Sequence, residues 1–212
     1  MNQIDKVIQG MQEANLPSSY WSDPVIEFPE LDAVHTVIQH NGQSVWEHTM
    51  CVIDLLNIKN PITLLSGLFH DLGKGCIAPV DDSSFSRFPG HANESANIVR
   101  TRLSEWGATS YVVDRVFRLV STHMFDISDA MREKTIRKFV ADVGVDNLDN
   151  WFAVRVADSR SYSSQRKYRN HFIEPFRRAV TSYINQQPSL GQLELENPRD
   201  TGVIQIKGGE GN

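Results

Sequence analysis

At 212 residues, with 40% apolar and 22% charged side chains, the chain can bury one stable core, and its composition excludes disordered, collagen-like and disulfide-stapled classes. A formal charge of −5 repels a nucleic-acid backbone at long range, so any contact with nucleic acid has to be local. The N-terminus, MNQIDKVIQGMQEANLP, lacks the continuous apolar run of a signal peptide, and no stretch reads as a membrane span, so a cytoplasmic location is expected.

Ile4, Val7, Ile8 and Met11 recur at helical spacing and predict a short docking helix that ends before Leu16-Pro17. Residues 17–43 are rich in proline and polar groups without a period, which reads as an extended surface connection. From Ser44, a candidate N-cap, a helix is expected to about Ile58, with Val45, Val52, Leu55 and Leu56 inward and His48 and Cys51 on the same stripe. Asn60-Pro61 opens a second helix whose inner positions are Leu64, Leu65, Leu68, Phe69 and Leu72. It runs up to Gly73, so His70-Asp71 falls in its last turn.

The segment from Gly73 to Gly90 is long for a connection, which makes it a candidate to cover or line a site. Four more helical patterns follow: Ala92, Ala96, Val99 and Leu103; then Val112, Val113, Val116, Phe117 and Val120; then Met131 to Val143; then Leu148, Trp151, Phe152 and Arg155. Phe172, Ile173, Phe176, Val180 and Ile184 mark a last helix that stops before Gln186. Gly202 to Lys207 alternates well enough for a short edge strand. The expected fold is all-α, with residues 1–43 as an N-terminal helix and connection, 44–186 as the main domain, and 187–212 as a partly irregular tail.

Cys51 and Cys76 are the only cysteines and read as a reduced pair. The best local basic patch is the run Arg160 to Arg169, containing Arg166, Lys167 and Arg169, although such a run is also what a solvated helix start looks like.

Of seven histidines, His48, His70, His91, His123 and, less clearly, His171 have apolar neighbours at helical or helix-adjacent positions. A lone histidine there is more often a hydrogen-bonded core residue, but several together with carboxylates imply a shared ligand. His70-Asp71 sets a nitrogen beside a carboxylate, and Asp158, seven residues after Trp151, lies on a core-facing stripe. Buried carboxylates must be paired, hydrogen-bonded or bound to a cation. One divalent metal would satisfy His48, His70, Asp71 and Asp158 together, and this mixed nitrogen and oxygen set suits Mn, Co, Ni, Fe or Zn.

If His91 and His123 face the same cavity, they could hold a second metal, with Asp71 as the bridge. They could instead contact a substrate phosphate or act as general acid. Lys74, after the Asp71-Leu72-Gly73 turn, is a candidate phosphate contact, and Arg155 a candidate ion-pair partner that orients Asp158.

In the order H, HD, H, H, D, these residues resemble the HD superfamily of metal-dependent phosphohydrolases. Val45-Trp46-Glu47-His48-Thr49 looks like the family's first-histidine helix, and GLFHDLGK, Gly67 to Lys74, like its metal helix. Arg87 to His91, RLVSTHM ending at Met124, and Thr135 to Asp158 are similar to the HD region of bacterial tRNA nucleotidyltransferases and poly(A) polymerases. This likeness covers roughly residues 39–186. It implies an HD-domain helical bundle with phosphatase and 2′,3′-cyclic phosphodiesterase activity on nucleotide or RNA ends, and His48, His70, Asp71 and Asp158 at the matching ligand positions.

About forty residues precede this region, too few to hold the nucleotidyltransferase core that precedes it in those enzymes, so that core is not expected. CCA addition is therefore not expected, and the chain reads as a free-standing HD domain. Two other readings share the residue order: a di-iron oxygenase acting on a small polyol or phosphonate, and a non-catalytic nucleotide-binding module. A homodimer is compatible with all three, and no membrane partner is expected.

Overall fold

The computed structural model describes residues 1–24, 26–39, 42–56, 60–82, 85–128, 131–161 and 171–187. Helices dominate them: α1 (Gln3–Glu13), α2 (Pro29–Ala33), α3 (Val45–Leu55), α4 (Pro61–Phe69), α5 (His91–Glu105), α6 (Ser110–Thr122), α7 (Glu133–Val143), α8 (Leu148–Ser161) and α9 (Ile173–Asn185). Short 3-10 turns at Pro17–Ser22, Leu72–Cys76 and Val145–Asn147 join some of them. One antiparallel hairpin, β1 (Val80–Asp82) with β2 (Phe85–Arg87), is the only sheet among the described residues. The all-α expectation holds.

The centre is α4. Every residue from Ile62 to Phe69 is buried, as an almost uniformly apolar helix must be. Asn60 accepts hydrogen bonds from the Ile62 and Thr63 amides, and Pro61 occupies the first turn, so the helix starts where its sequence says. It packs against α1, α3, α5, α6 and α8. Gly67 lets α3 approach: a Cβ there would lie 2.6 Å from Leu56.

The start of α3 is fixed by a capping box, in which the Glu47 amide donates to Ser44 Oγ and the Ser44 amide donates to Glu47 Oε2. Its inward face is shifted from the expected one. Val45, His48, Thr49, Val52 and Ile53 are buried, whereas Leu55 is 40% exposed and Cys51 only half-buried. The helix also ends at Leu55, before Ile58. Cys51 and Cys76 are both free thiols, in agreement with the reduced pair.

The extended surface connection expected over 17–43 is corrected. It contains a 3-10 turn and α2, and Trp21, Ile26, Phe28, Leu31 and Val34 join the same core as α1 and the later helices. Spaced aromatic and aliphatic residues without a helical period can still bury one by one, which a search for periodicity does not detect. Likewise the loop from 73 to 90 carries a 3-10 turn and the hairpin. The helix expected to begin at Met131 starts at Glu133. The edge strand expected at 202–207, and Arg166, Lys167 and Arg169 of the basic run, lie outside the described residues. No helix among the described residues is long and apolar enough to cross a membrane.

Candidate metal centre

Five helices, two of them at their C-terminal ends, deliver six side chains to one buried point. His48 is the fourth residue of α3. His70 caps the C-terminus of α4, and Asp71 follows it with φ near −111° as the chain leaves the helix for the 3-10 turn. The helix thus stops at Phe69, short of the expected Gly73, and this break turns Asp71 toward its neighbours. His91 is the first residue of α5, set by Gly90 at φ +86°, a conformation that favours glycine. His123 caps the C-terminus of α6, and Asp158 lies on the last turns of α8.

The distances define two groups. His48 Nε2 lies 3.2 Å from His70 Nε2, and each is 3.4 Å from Asp71 Oδ2. Asp158 Oδ1 is 3.3 Å from His48 Nε2. On the other side, His91 Nε2 and His123 Nε2 are 3.1 Å apart, at 3.2 and 3.5 Å from Asp71 Oδ1. The carboxylate of Asp71 therefore gives one oxygen to each pair of histidines. His48, His70, Asp71, His91 and His123 are all buried, and the Asp158 side chain is 14% exposed.

Two atoms bound to one cation at about 2.1 Å, at angles between octahedral and tetrahedral, stand about 3.0–3.4 Å apart. The seven separations match that range closely. The ring tautomers agree as well: Nδ1 of His70, His91 and His123 donates to the carbonyls of Gly67, Phe88 and Val120 at 2.7, 2.8 and 2.6 Å. With the proton held on Nδ1, each Nε2 presents a lone pair inward. Lone pairs of neutral rings facing each other at 3.1–3.2 Å repel unless a proton or a cation lies between them. The donor set thus fits one divalent transition metal at each group.

Lys74 Nζ donates to Asp71 Oδ2 at 2.6 Å and to Gln39 Oε1 at 2.7 Å, and it lies over the Phe88 ring. Arg155 donates to the His123 carbonyl at 3.2 Å and sits 3.5 Å from Asp158 Oδ2. Burial pushes the Asp71 carboxyl up, but Lys74 and His70 outweigh it and hold the group well below the usual range. Asp158 is also lowered, because His48 overcomes the effect of burial. Burial lowers His48 and His123, while His70 is raised because Asp71, with Asp158, outweighs its burial. A recess of about 10 Å³, room for one water, opens beside the cluster between His70, His123, Arg155 and Asp158.

The six expected ligand positions and Lys74 are therefore brought together. His171 is exposed and not among them. Sequence reasoning missed Gln39, which arrives from the segment taken as a surface connection, and Ser161, whose hydroxyl lies 2.8 Å from His48 Nδ1. It also missed Ser95, whose Oγ accepts from the Gly73 amide and ties α5 to the turn after Asp71. No sequence spacing marks any of these three, and only the one-turn offset of Ser161 from Asp158 was available as a signal.

A helical bundle with a buried histidine and aspartate cluster of this kind defines a metal-binding HD architecture. Residues 44–151, half of the chain, match the HD domain family model, and the chain belongs to that family. HD domains bind divalent metals and are in general metal-dependent phosphohydrolases. The matched segment holds His48, His70, Asp71, Lys74, His91 and His123, while Asp158 lies seven residues beyond it. No curated protein matches the chain.

Proposed function

We propose that the chain hydrolyses a phosphate ester at a pair of divalent cations bridged by Asp71, with His48, His70 and Asp158 holding one cation and His91 and His123 the other. The observation that carries this reading is the division of the Asp71 oxygens between the two histidine pairs. It favours a ligand role for His91 and His123 over a general-acid role, since Nδ1 of each is committed to a backbone carbonyl.

When bound, the cations supply Lewis-acid charge at a phosphoryl oxygen and a lowered pKa for a neighbouring water. The chain's own residues set the field for that chemistry. The charges of Asp71 and Asp158 are balanced by those of Lys74 and Arg155, so each added cation makes the pocket more positive. That local charge draws in an anionic ester despite the overall −5. Lys74 spends two of its three N–H groups on Gln39 and Asp71, which leaves the third for a phosphoryl oxygen. Arg155 orients Asp158 against His48.

The substrate class rests on the sequence likeness to the HD region of tRNA nucleotidyltransferases: a nucleotide or RNA end, as a phosphomonoester or a 2′,3′-cyclic phosphodiester. The test is phosphate release by the purified chain, stripped of metal and resupplied with Mn²⁺, Co²⁺ or Ni²⁺, from a panel of 2′-, 3′- and 2′,3′-cyclic nucleotides. Turnover that needs metal and disappears in His70→Ala supports the reading. No release in any metal, with His70→Ala indistinguishable from wild type, overturns it. The bridged pair also suits a di-iron oxygenase, and two irons per chain with oxygen uptake on a polyol or phosphonate would select that reaction instead.

A further inference from the structure

Each metal-facing histidine needs an acceptor for its Nδ1 proton, and the fold supplies these acceptors in two ways. His70 and His123 cap helix C-termini, where the last carbonyls have no partner in the helix, and each donates to the carbonyl three residues back. His91 opens α5 and uses Phe88, which precedes the helix. His48 differs because it lies inside α3, where the carbonyl three residues back is engaged in the helical ladder. Its Nδ1 meets a side chain instead, Ser161 Oγ, from the last turn of α8. That hydroxyl donates its own proton to the Asp158 carbonyl at 2.7 Å, so it has a lone pair to receive the His48 proton.

We propose that Ser161 is a positioning residue of the metal centre: its hydroxyl relays from His48 Nδ1 to the backbone of Asp158, fixing the ring so that Nε2 faces the cation. This rests on the reading of the cluster as a metal centre. The relay joins α3 to α8, the two helices whose ligands, His48 and Asp158, are 113 and 3 residues from Ser161 in sequence. Among the described Nδ1 contacts of the four histidines it is the one made by a side chain, and so one that substitution can remove. His48 is fully buried and Ser161 nearly so, so bulk water does not readily replace the hydroxyl that Ser161→Ala removes.

The experiment compares wild type, Ser161→Ala and Ser161→Thr in the full chain. Zinc affinity is measured by competition with a chromogenic chelator, and the His48 Nδ1 proton resonance is followed in the zinc-loaded protein. Loss of an outer partner of a metal-bound histidine weakens binding about 10–100-fold, which is expected for Ser161→Ala, with Ser161→Thr recovering most of it. The Nδ1 proton should be slow to exchange in wild type and Ser161→Thr and lost to exchange in Ser161→Ala. Unchanged zinc affinity in Ser161→Ala overturns the proposal. So does equal weakening in both variants, since that assigns the effect to shape, and so does a fall in metal-free melting temperature with zinc affinity kept. If wild type binds zinc no better than His70→Ala, the metal-centre reading itself falls.

Discussion

Asp71 Oδ1 lies 3.2 Å from His91 Nε2, while the other oxygen of the same carboxylate lies 3.4 Å from His70 Nε2. These two histidines sit on different helices, α5 and α4, and a break in the helix at Phe69 turns the carboxylate between them. In the proposed function this one side chain serves two cations. Asp71→Asn keeps the shape and removes the charge that serves both. It should lower phosphate release by at least about 100-fold, more than loss of an outer hydrogen bond to a ligand. It should also leave fewer than two cations per chain by elemental analysis. His123→Ala should lose the second cation and keep the first. Two cations retained in Asp71→Asn would contradict the bridging role.

Lys74 is nearly buried and bonded to Asp71, so its charge neutralises the carboxylate when no cation does. Lys74→Met takes from that buried carboxylate its one lysine partner in the metal-free protein, and breaking a buried pair costs up to about 3–5 kcal/mol. A thermal melt without metal should show the loss, and Mn²⁺ should restore much of it because a cation takes over the neutralisation. Catalysis should remain depressed even in saturating metal, by about 10²–10³-fold in kcat, since the charge aimed at the phosphoryl group is gone. Full activity in metal-saturated Lys74→Met would remove Lys74 from the mechanism.

Cation uptake should release protons. The His70 imidazole lies above its ordinary value of 6.5: burial favours the neutral ring, but Asp71 and then Asp158 outweigh it. A raised group still carries its proton where a free histidine has lost it, and that proton must leave Nε2 when a cation arrives. His48 and His123 are shifted the other way by burial, are neutral at pH 7, and contribute none. Affinity should therefore weaken as pH falls through the neutral range toward and below 6.5. Calorimetric titrations with Mn²⁺ at pH 7 in two buffers of different ionisation enthalpy should give different heats, and identical heats would count against this assignment.

Gly73 holds the turn after Asp71 against the start of α5. A Cβ there would stand 2.4 Å from the His91 carbonyl and 2.5 Å from the Ser95 amide, both backbone atoms that cannot swing aside. Gly73→Ala should cost about 1–3 kcal/mol from overpacking and push His91 away from Asp71. The expected result is a lower melting temperature together with selective loss of the second cation. A variant that melts lower and still binds both would show the contact to be structural only.

Much of this centre was legible in the sequence. Ser44 and Asn60-Pro61 mark helix starts by chemistry that needs no tertiary information, and the helical phase after Ser44 places His48 inward. The adjacent His70-Asp71 pair is visible as a donor set, and the apolar run before it announces a central helix. The register of α3 was less legible: Cys51 and Leu55 are apolar enough to suggest an inward face, yet the neighbouring helices cover Thr49 and Ile53 instead. Gln39 and Ser161 were hidden for another reason. Each acts through one hydrogen bond across a long sequence separation, 35 residues to Lys74 and 113 to His48, and such bonds leave no periodic trace. The sequence leaves the bridging role of Asp71 open, and the separate partners of its two oxygens are what support it.

The most direct test is anomalous diffraction from crystals grown with Mn²⁺. Two manganese peaks flanking the Asp71 carboxylate are expected, one within reach of His48, His70 and Asp158 and the other within reach of His91 and His123. A single peak, or peaks that leave either histidine pair without a cation, would contradict the Asp71-bridged centre.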